Sequence, residues 1–141
     1  MLKVNPYLNF NGTTEEAFNF YKSVFGGEFT TIFRFKDMSE GDKMPPEAQN
    51  KIMHIALPIG KNITLMATDA LESLGQKLTV GNNYYISLET ETKNEADRIF
   101  NALSAGGKVE MPMQDQFWGA YFGSFADKFG VQWMVSYTDQ K

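Results

Sequence analysis

Cysteine is absent from the 141-residue chain, and histidine occurs once, as His54. Without a thiol, the protein can form no disulfide, no thiolate metal site and no cysteine nucleophile. A single imidazole also cannot by itself provide the histidine cluster that many metal sites use. The absence of cysteine is typical of cytoplasmic proteins, and we expect that location here.

Long apolar runs and basic tracts are missing as well. No apolar stretch approaches the roughly 18 residues that indicate a membrane span, and the opening residues, MLKVNPYLNF, lack the apolar core of a secretory signal. The formal net charge is −4, and lysine and arginine occur only singly. These features predict no membrane partner and no nucleic-acid partner, which leaves a small molecule or another protein.

Alternating apolar residues and glycine stops divide the first half of the chain into a strand, a helix and three strands. KVNPYLNF has the period of a strand, TTEEAFNFYKSVF has helical spacing with Thr13 as its N-cap, and Gly26-Gly27 ends the helix. EFTTIFRF, KIMHIALPI and NITLMATD then predict three strands. Residues 36–47 are polar and turn-rich, which predicts a mobile loop.

The second half of the chain repeats this order. YYISLETE predicts a strand, and TKNEADRIFNALS predicts a helix with Thr92 as its N-cap, Glu95 in the capping-box position and Gly106-Gly107 at its end. KVEMPMQ, FWGAYFGSFAD and VQWMVSYT predict three more strands. Because a Glu-Ala pair lies at a matching place in each helix and a Gly-Gly pair ends each, we infer an internal duplication.

The predicted fold is therefore α+β, with two tandem βαβββ modules in a single domain. Module one covers about residues 1–70, the connection about 71–82 and module two about 83–141. The helix of each module covers one face of its sheet, and the other face needs a different partner. We expect the sheets to curve into a partly open, eight-stranded, barrel-like arrangement with a central cleft, the usual place for a ligand.

Three segments resemble a known family. PYLNFNGTTEEAFNFYKSVFGG, LMATD and FWGAYFGSFADKFGVQW are similar to the PhnB-like branch of the glyoxalase/bleomycin-resistance/extradiol-dioxygenase superfamily, also called vicinal oxygen chelate proteins. The resemblance implies paired βαβββ modules, usually in a homodimer, around a pocket that holds a divalent metal in many members. Members of the superfamily isomerise substrates, open epoxides, cleave rings or only sequester a drug, and the PhnB-like branch is mostly of unassigned activity.

The metal ligands that the resemblance implies are not matched in this sequence. Histidines would fall near Asn5 and Tyr85, and glutamates near Met66 and Met134. A thioether is a weak ligand for the divalent metals concerned. Relatives also commonly read FWGDRYG and DPFGHxW where this chain reads FWGAYFG and DKFGVQW, which removes further polar groups. We therefore predict no cofactor and disfavour a divalent metal.

His54 is the candidate catalytic residue. In strict strand alternation it shares a face with Ile52 and Ala56, opposite the more apolar residues that pack on the helix, so we expect it to face the cleft. Two interpretations stay open. One is a structural histidine hydrogen-bonded to a neighbour such as Thr64, and the other is a group that contacts a ligand or transfers a proton near neutral pH.

Residues on the expected cleft face supply the predicted ligand contacts, with core packing or solvation as the alternative for each. The predicted ligand-binding residues are Tyr7, Asn9, His54, Met66, Tyr85, Glu89, Trp118 and Met134. Trp118 belongs to a dense aromatic group and is assigned either to the pocket or to a dimer interface. Asp69 and Asp127 follow strands and are predicted to form turns rather than act as bases.

Three functions remain open from the sequence. The leading hypothesis is a homodimer that binds a small molecule in the cleft without a catalytic metal. The second is a metal-independent enzyme with His54 as acid or base, and the third is a metal-dependent glyoxalase- or dioxygenase-type enzyme. The sequence contains no phosphate-binding loop, dinucleotide fingerprint, nucleophile elbow or HExxH zinc motif.

Overall fold

Each half of the chain forms its own βαβββ module in the computed structural model, which describes residues 2–139. The first module contains β1 (Tyr7–Phe10), α1 (Thr14–Phe25), β2 (Thr31–Arg34), α2 (Pro46–Gln49), β3 (Ile52–Ile59) and β4 (Ile63–Asp69). The second contains β5 (Ile86–Glu89), α3 (Lys93–Ser104), β6 (Lys108–Asp115), β7 (Ala120–Ala126) and β8 (Gln132–Thr138). The predicted order of elements is confirmed, with the short α2 as an addition.

The strands form two open four-stranded sheets, in the orders β1-β4-β3-β2 and β5-β8-β7-β6. In each module the first strand pairs in parallel with the fourth, and the other neighbours are antiparallel. The chain divides into two compact units, Met1–Thr79 and Val80–Lys141, at a point inside the predicted connection. The predicted α+β class with open sheets is confirmed. Within residues 2–139, no helix is long and apolar enough to cross a membrane.

A helix covers one face of each sheet, as the alternation of the strands requires. In the first module the buried side of α1, including Phe18 and Tyr21, packs on β3 and β4. In the second module α3 packs on β6, β7 and β8, and Gly123 makes room for it: a Cβ at this glycine would lie 2.8 Å from the Phe100 ring. Burying each such aromatic side chain contributes about 1.5–3 kcal/mol. The opposite sheet faces carry the candidate sites.

Both Gly-Gly pairs begin with a left-handed glycine, Gly26 and Gly106, the latter with a φ of 76°, and the pairs differ at the second glycine. Gly26 and Gly27 have φ angles of 79° and 82°, a left-handed conformation that glycine adopts without steric cost. Gly107 instead lies against a neighbouring strand, where a Cβ would come within 2.2 Å of the carbonyl oxygen of Ala126. Both predicted helix ends are confirmed, but Gly107 is required by close packing.

The two long helices also begin differently. Thr92 caps α3 as predicted, since its Oγ1 accepts a hydrogen bond from the backbone N–H of Glu95 at 3.0 Å. Thr13 occupies the N-cap position of α1, but its side chain makes no capping hydrogen bond. The carboxylate of Asp69, at the end of β4, accepts the N–H of Thr14 at 3.0 Å instead. The predicted N-cap position of Thr13 is therefore confirmed, but the capping hydrogen bond is accepted by Asp69 and not by the Thr13 side chain.

Asp69 joins three elements of the first module. Its Oδ1 accepts hydrogen bonds from the N–H and the hydroxyl of Thr14 at 3.0 and 2.7 Å, and its Oδ2 accepts the N–H of Ile52 at 2.8 Å. The residue is only 1% exposed, and its charge lies at the positive end of the α1 dipole. The predicted turn role is therefore wrong for Asp69. Asp127 does form a turn, because it accepts the N–H of Phe129 at 2.8 Å.

The segment 36–47, predicted as a mobile loop, has regular structure. It contains most of the short 3-10 helix Phe35–Asp37 and all of a second one, Gly41–Lys43, and it leads into α2. Phe35 is buried in a small apolar cluster with Ala48 and Leu71. The sequence alternation did not reveal this cluster because its members come from three separate elements.

We expect Asp69→Ala to lower the free energy of unfolding by about 2–4 kcal/mol, because three donors lose their acceptor and each buried unsatisfied group costs about 1–3 kcal/mol before water relieves it. Asp42→Ala is the matched control, since Asp42 is exposed in the same module. That control should change the free energy of unfolding by less than about 0.5 kcal/mol. Urea denaturation followed by circular dichroism measures both variants, and equal stability would contradict the bridging role of Asp69.

Candidate functional site

The sheet face opposite α1 carries the predicted residues of the first module. The strand register pairs Tyr7 on β1 with Met66 on β4, and Asn9 with Thr68. Strand alternation directs these four side chains away from the helix. Tyr7 is 48% exposed, whereas Leu65 on the helix side is fully buried. The predicted residues of this module therefore share one partly exposed surface.

A β-bulge decides where His54 points. His54 pairs with Phe33 on β2, but the next pair joins Arg34 to Ile52, so Met53 is an extra residue in β3. Ile52 is 1% exposed, while His54 is half-buried. The expectation that His54 and Ile52 share a face is wrong, because the bulge interrupts the alternation between them.

His54 and Tyr7 form a hydrogen bond across β4. The Tyr7 hydroxyl oxygen lies 3.1 Å from Nδ1 of His54, and the two rings stack with centroids 5.7 Å apart and 25° between their planes. Burial raises the pKa of Tyr7, so its hydroxyl stays protonated at neutral pH and can donate to or accept from Nδ1, depending on which ring nitrogen carries the proton. Tyr7, rather than the predicted Thr64, is the partner of His54.

Phe33 is a member of this surface that the sequence patterns missed. It lies beside His54 in the strand register and is 49% exposed. The strand period of EFTTIFRF predicts which of its side chains share a face, but it does not predict which strand β2 pairs with. The surface thus combines two exposed aromatic rings, Tyr7 and Phe33, with one imidazole.

In the second module the predicted residues Tyr85 and Met134 lie with two residues that were not predicted, Glu110 and Ser124. Oε1 of Glu110 accepts a hydrogen bond from the hydroxyl of Tyr85 and another, at 3.1 Å, from the hydroxyl of Ser124. Ser124 is directly paired with Met134 in the neighbouring strand. The bond to Glu110, followed by burial, raises the pKa of Tyr85, which therefore remains a donor at neutral pH. Tyr85, Glu110 and Ser124 are called the Glu110 cluster below.

The other two predicted residues of the second module have different surroundings. Glu89 is exposed at the end of β5, and no hydrogen bond from residues 2–139 reaches its carboxylate. Trp118 falls in the turn between β6 and β7, not in a strand as predicted, and is 56% exposed. Its ring makes edge contacts with Phe117 and Phe122, at centroid distances of 5.1 and 6.1 Å. The structure therefore brings Tyr85 and Met134 together but not Glu89 or Trp118 with them.

Tyr121, in the segment that departs from the family pattern, has a structural role on the helix side of the second sheet. Its hydroxyl donates to Asp97 of α3 at 2.5 Å. This hydrogen bond is the main reason that the pKa of Tyr121 is raised to about 12, with smaller contributions from burial and nearby charge. Tyr121 thus ties α3 to β7 and is not part of the candidate site.

The residue types at the positions implied for a metal do not fit one. The Asn5 amide oxygen accepts a backbone N–H at 2.9 Å, and the Tyr85 hydroxyl is held by Glu110. Met66 and Met134 offer only thioethers, which are weak ligands for hard divalent metals. Among the residues from 2 to 139, no three His, Cys, Asp or Glu side chains are close enough to hold a metal ion. The donor chemistry of the superfamily's metal site is therefore lacking here.

A half-open groove of about 530 Å³ lies at the N-terminal end of α1, on the helix side of the first sheet. Its lining includes Gly12, Glu15, Asn19, Asn50 and Lys51. Two of its charged groups, Glu15 and Lys51, are engaged. Arg34 makes two hydrogen bonds to Glu15, at 3.0 and 2.7 Å, and thereby lowers the pKa of the Glu15 carboxyl. Lys51 donates to the Gly12 carbonyl at 2.9 Å. The groove is therefore an alternative location for ligand binding, besides the sheet face that carries Tyr7 and His54.

Known proteins match the chain over almost its whole length. The sequence model of a family described as 3-demethylubiquinone-9 3-methyltransferase matches residues 2–136. Protein YjdN of Escherichia coli (strain K12) is 30% identical over 148 residues, covering 99% of this chain and 98% of that protein. The structure of protein PA1353 from Pseudomonas aeruginosa is 39% identical with a TM-score of 0.87, over 99% of this chain and 100% of that chain.

More distant structures share the fold of the chain. A PhnB protein from Bacillus cereus is 27% identical with a TM-score of 0.79, over 97% of this chain and 100% of that chain. A glyoxalase/bleomycin resistance protein from Albidiferax ferrireducens T118 shares the fold at 16% identity and a TM-score of 0.65, over 96% of this chain and 97% of that chain. The chain therefore belongs to the PhnB-like, or 3-demethylubiquinone-9 3-methyltransferase-like, family, and it shares its fold with a glyoxalase/bleomycin resistance protein.

Proposed function

We propose that the protein binds a small organic molecule on the sheet face that carries Tyr7 and His54, without a catalytic metal. The hydrogen bond between these two side chains is the observation that carries the proposal. Tyr7 holds the imidazole in one orientation, so the surface offers a fixed polar group to a ligand. Fixing a contact group before binding lowers the conformational entropy lost on association.

The surroundings of the pair suit a ligand with an apolar part. Phe33 and Met66 place an aromatic ring and a flexible thioether on the same face as His54. Pockets for small molecules combine such apolar walls with a few polar groups that set orientation. The proposed contacts on this face are the predicted residues Tyr7, Asn9, His54 and Met66. The other predicted contacts, Tyr85, Glu89, Trp118 and Met134, belong to the second module and stay predictions.

A second candidate, a metal-independent enzyme with His54 as acid or base, is favoured by the same geometry. Because Nδ1 is engaged by Tyr7, Nε2 is the atom left to meet a bound molecule. The Tyr7 hydroxyl can donate or accept, so Nε2 can be a proton donor in one tautomer and an acceptor in the other.

A thermal-shift screen of metabolites should find a ligand whose affinity depends on the Tyr7–His54 pair. We expect Tyr7→Phe to raise the Kd about 2–10-fold, because one hydrogen bond of about 0.5–1.5 kcal/mol is lost. His54→Ala should raise it further. Asn19→Ala, in the groove beside α1, is the control and should leave the Kd unchanged. A ligand that is weakened by Asn19→Ala and unaffected by His54→Ala would place binding in the groove and refute the proposal.

Product analysis with the same ligand separates binding from catalysis. A binding protein should leave the ligand chemically unchanged, whereas an enzyme should convert it. If the second candidate holds, His54→Ala should lose nearly all of the rate and little of the affinity, since proton transfer by one side chain contributes about 10²–10⁴-fold.

Divalent metals should leave the stability of the protein unchanged, because the positions implied for the metal carry thioethers and engaged polar groups. Addition of Zn²⁺, Mn²⁺, Ni²⁺ or Fe²⁺ should shift the Tm by less than about 1 °C, since a metal stabilises a fold only in proportion to its binding. Differential scanning fluorimetry with and without EDTA makes the measurement. A rise of several degrees that the chelator reverses would show the metal assignment to be mistaken.

We also propose that the protein is a homodimer in which the turn between β6 and β7 takes part. Phe117 and Trp118 in this turn are 97% and 56% exposed, and adjacent exposed aromatic rings are typical of an interaction surface. Light scattering should give twice the 16.0 kDa chain mass, and Trp118→Ser should shift the protein toward the monomer. Val80→Ser, at a residue 67% exposed, is the control. A dimer that Trp118→Ser leaves intact would exclude this turn from the interface.

A further inference from the structure

We propose that the Glu110 cluster is a binding subsite for a positively charged ammonium group of a small organic ligand. The inference goes beyond the proposed function, because the cluster lies in the second module, and it names the charge of the ligand group that this cluster binds. It depends on Glu110, a residue that neither the sequence patterns nor the implied metal positions single out.

The cluster is assembled from the two opposite edges of one sheet. Tyr85 immediately precedes β5 and Glu110 lies in β6, and these are the edge strands of the order β5-β8-β7-β6. Since their side chains are hydrogen-bonded, they reach toward each other over the two central strands. Ser124 in β7 is 1% exposed, and its hydroxyl donates the second hydrogen bond to Oε1 of Glu110. The carboxylate is therefore held over the middle of the sheet face that α3 does not cover.

The charge of Glu110 has no counterion in the described part of the chain, where the lysine and arginine ion pairs involve other carboxylates. Both hydroxyls donate to Oε1, so Oε2 can accept from a further donor. An uncharged amide oxygen would accept the same two hydroxyls, so the cluster itself does not need the charge. A cationic N–H donor gains most from it, because charge-assisted hydrogen bonds are about twice as strong as neutral ones.

An ammonium group fits this arrangement better than a metal ion does. A divalent cation needs several oxygen or imidazole ligands, and no three acidic, histidine or cysteine side chains meet within residues 2–139. An ammonium group needs one good acceptor and can leave its other protons to water. The Tyr85 ring and the Met134 thioether are both partly exposed beside the carboxylate and can contact the carbon skeleton.

Benzylammonium, compared with benzyl alcohol, tests the role of charge. The two probes have the same ring and nearly the same size, and only the first is charged at pH 7. With ¹³C-labelled methionine methyl groups, we expect benzylammonium to shift the Met134 signal with a Kd at least tenfold lower than that of benzyl alcohol. Glu110→Gln keeps an acceptor oxygen but removes the charge, so it should abolish this preference.

Glu91→Gln is the matched control for that variant. Glu91 is an exposed residue of the same module, and no hydrogen bond to its carboxylate occurs among residues 2–139. The change removes the same charge from the protein as Glu110→Gln, so it accounts for any general electrostatic attraction, which about 0.15 M salt screens beyond roughly 8 Å. We expect this variant to bind benzylammonium as the unaltered protein does.

The tyrosine pKa supplies a readout that does not depend on the probe. The hydrogen bond from Tyr85 to Glu110 raises the pKa of the phenol, so Glu110→Gln should lower it toward the usual value. A pH titration of ¹³C-labelled tyrosine detects this change, and Glu91→Gln should not produce it. An identical Tyr85 titration in Glu110→Gln and the unaltered protein would show that the cluster does not form in solution.

Three results would overturn the subsite: equal Kd values for the two probes, no shift of the Met134 signal with benzylammonium, or undiminished binding by Glu110→Gln. These outcomes are distinguishable from a failure of the proposed function. A ligand whose affinity depends on His54, together with any one of these three results, would support the binding function and overturn the ammonium subsite. Binding of benzylammonium through Glu110, with no ligand that depends on His54, would support the ammonium subsite and refute the proposed function of the face that carries Tyr7 and His54.

Discussion

The buried carboxylate of Asp69 is the interaction on which the first module depends. It closes the N-terminus of α1 and also accepts the N–H of Ile52, where β3 begins. Because this bond holds the start of β3 toward the helix side, the extra residue Met53 is accommodated as a bulge, and His54 is turned to the opposite face. The orientation of the candidate site is therefore determined from the buried side of the sheet.

The parts of the fold that could be predicted are those that local chemistry determines. The Thr92 side chain caps α3 by accepting the N–H of Glu95, three residues later, and glycine pairs end both long helices. A short window of sequence therefore contains the whole signal for these helix ends. The capping of α1 could not be found in this way, because Asp69 and Thr14 are 55 residues apart. The short helices within 36–47 were missed for a similar reason, since Phe35 packs on residues from other elements.

The candidate site also depends on contacts between distant residues, which local sequence patterns do not predict. Strand alternation was enough to give Tyr7 and Met66 a common face, because a strand repeats every two residues. It could not pair Tyr7 with His54, since that contact depends on the order of strands in the sheet. The hydrogen bond between Tyr85 and Glu110 could not be predicted from strand periodicity, because it joins the two edges of a sheet across the strands between them.

The two tyrosine contacts also bear on what became of the duplication. Tyr7 and Tyr85 both come from the beginning of a module and both form a hydrogen bond over the sheet face that the helix leaves open, but Tyr7 meets an imidazole and Tyr85 a carboxylate. The two modules thus share their strand order but differ in the side chains that these tyrosines contact. Each sheet face therefore presents its own polar group, and the two modules are not interchangeable as binding surfaces.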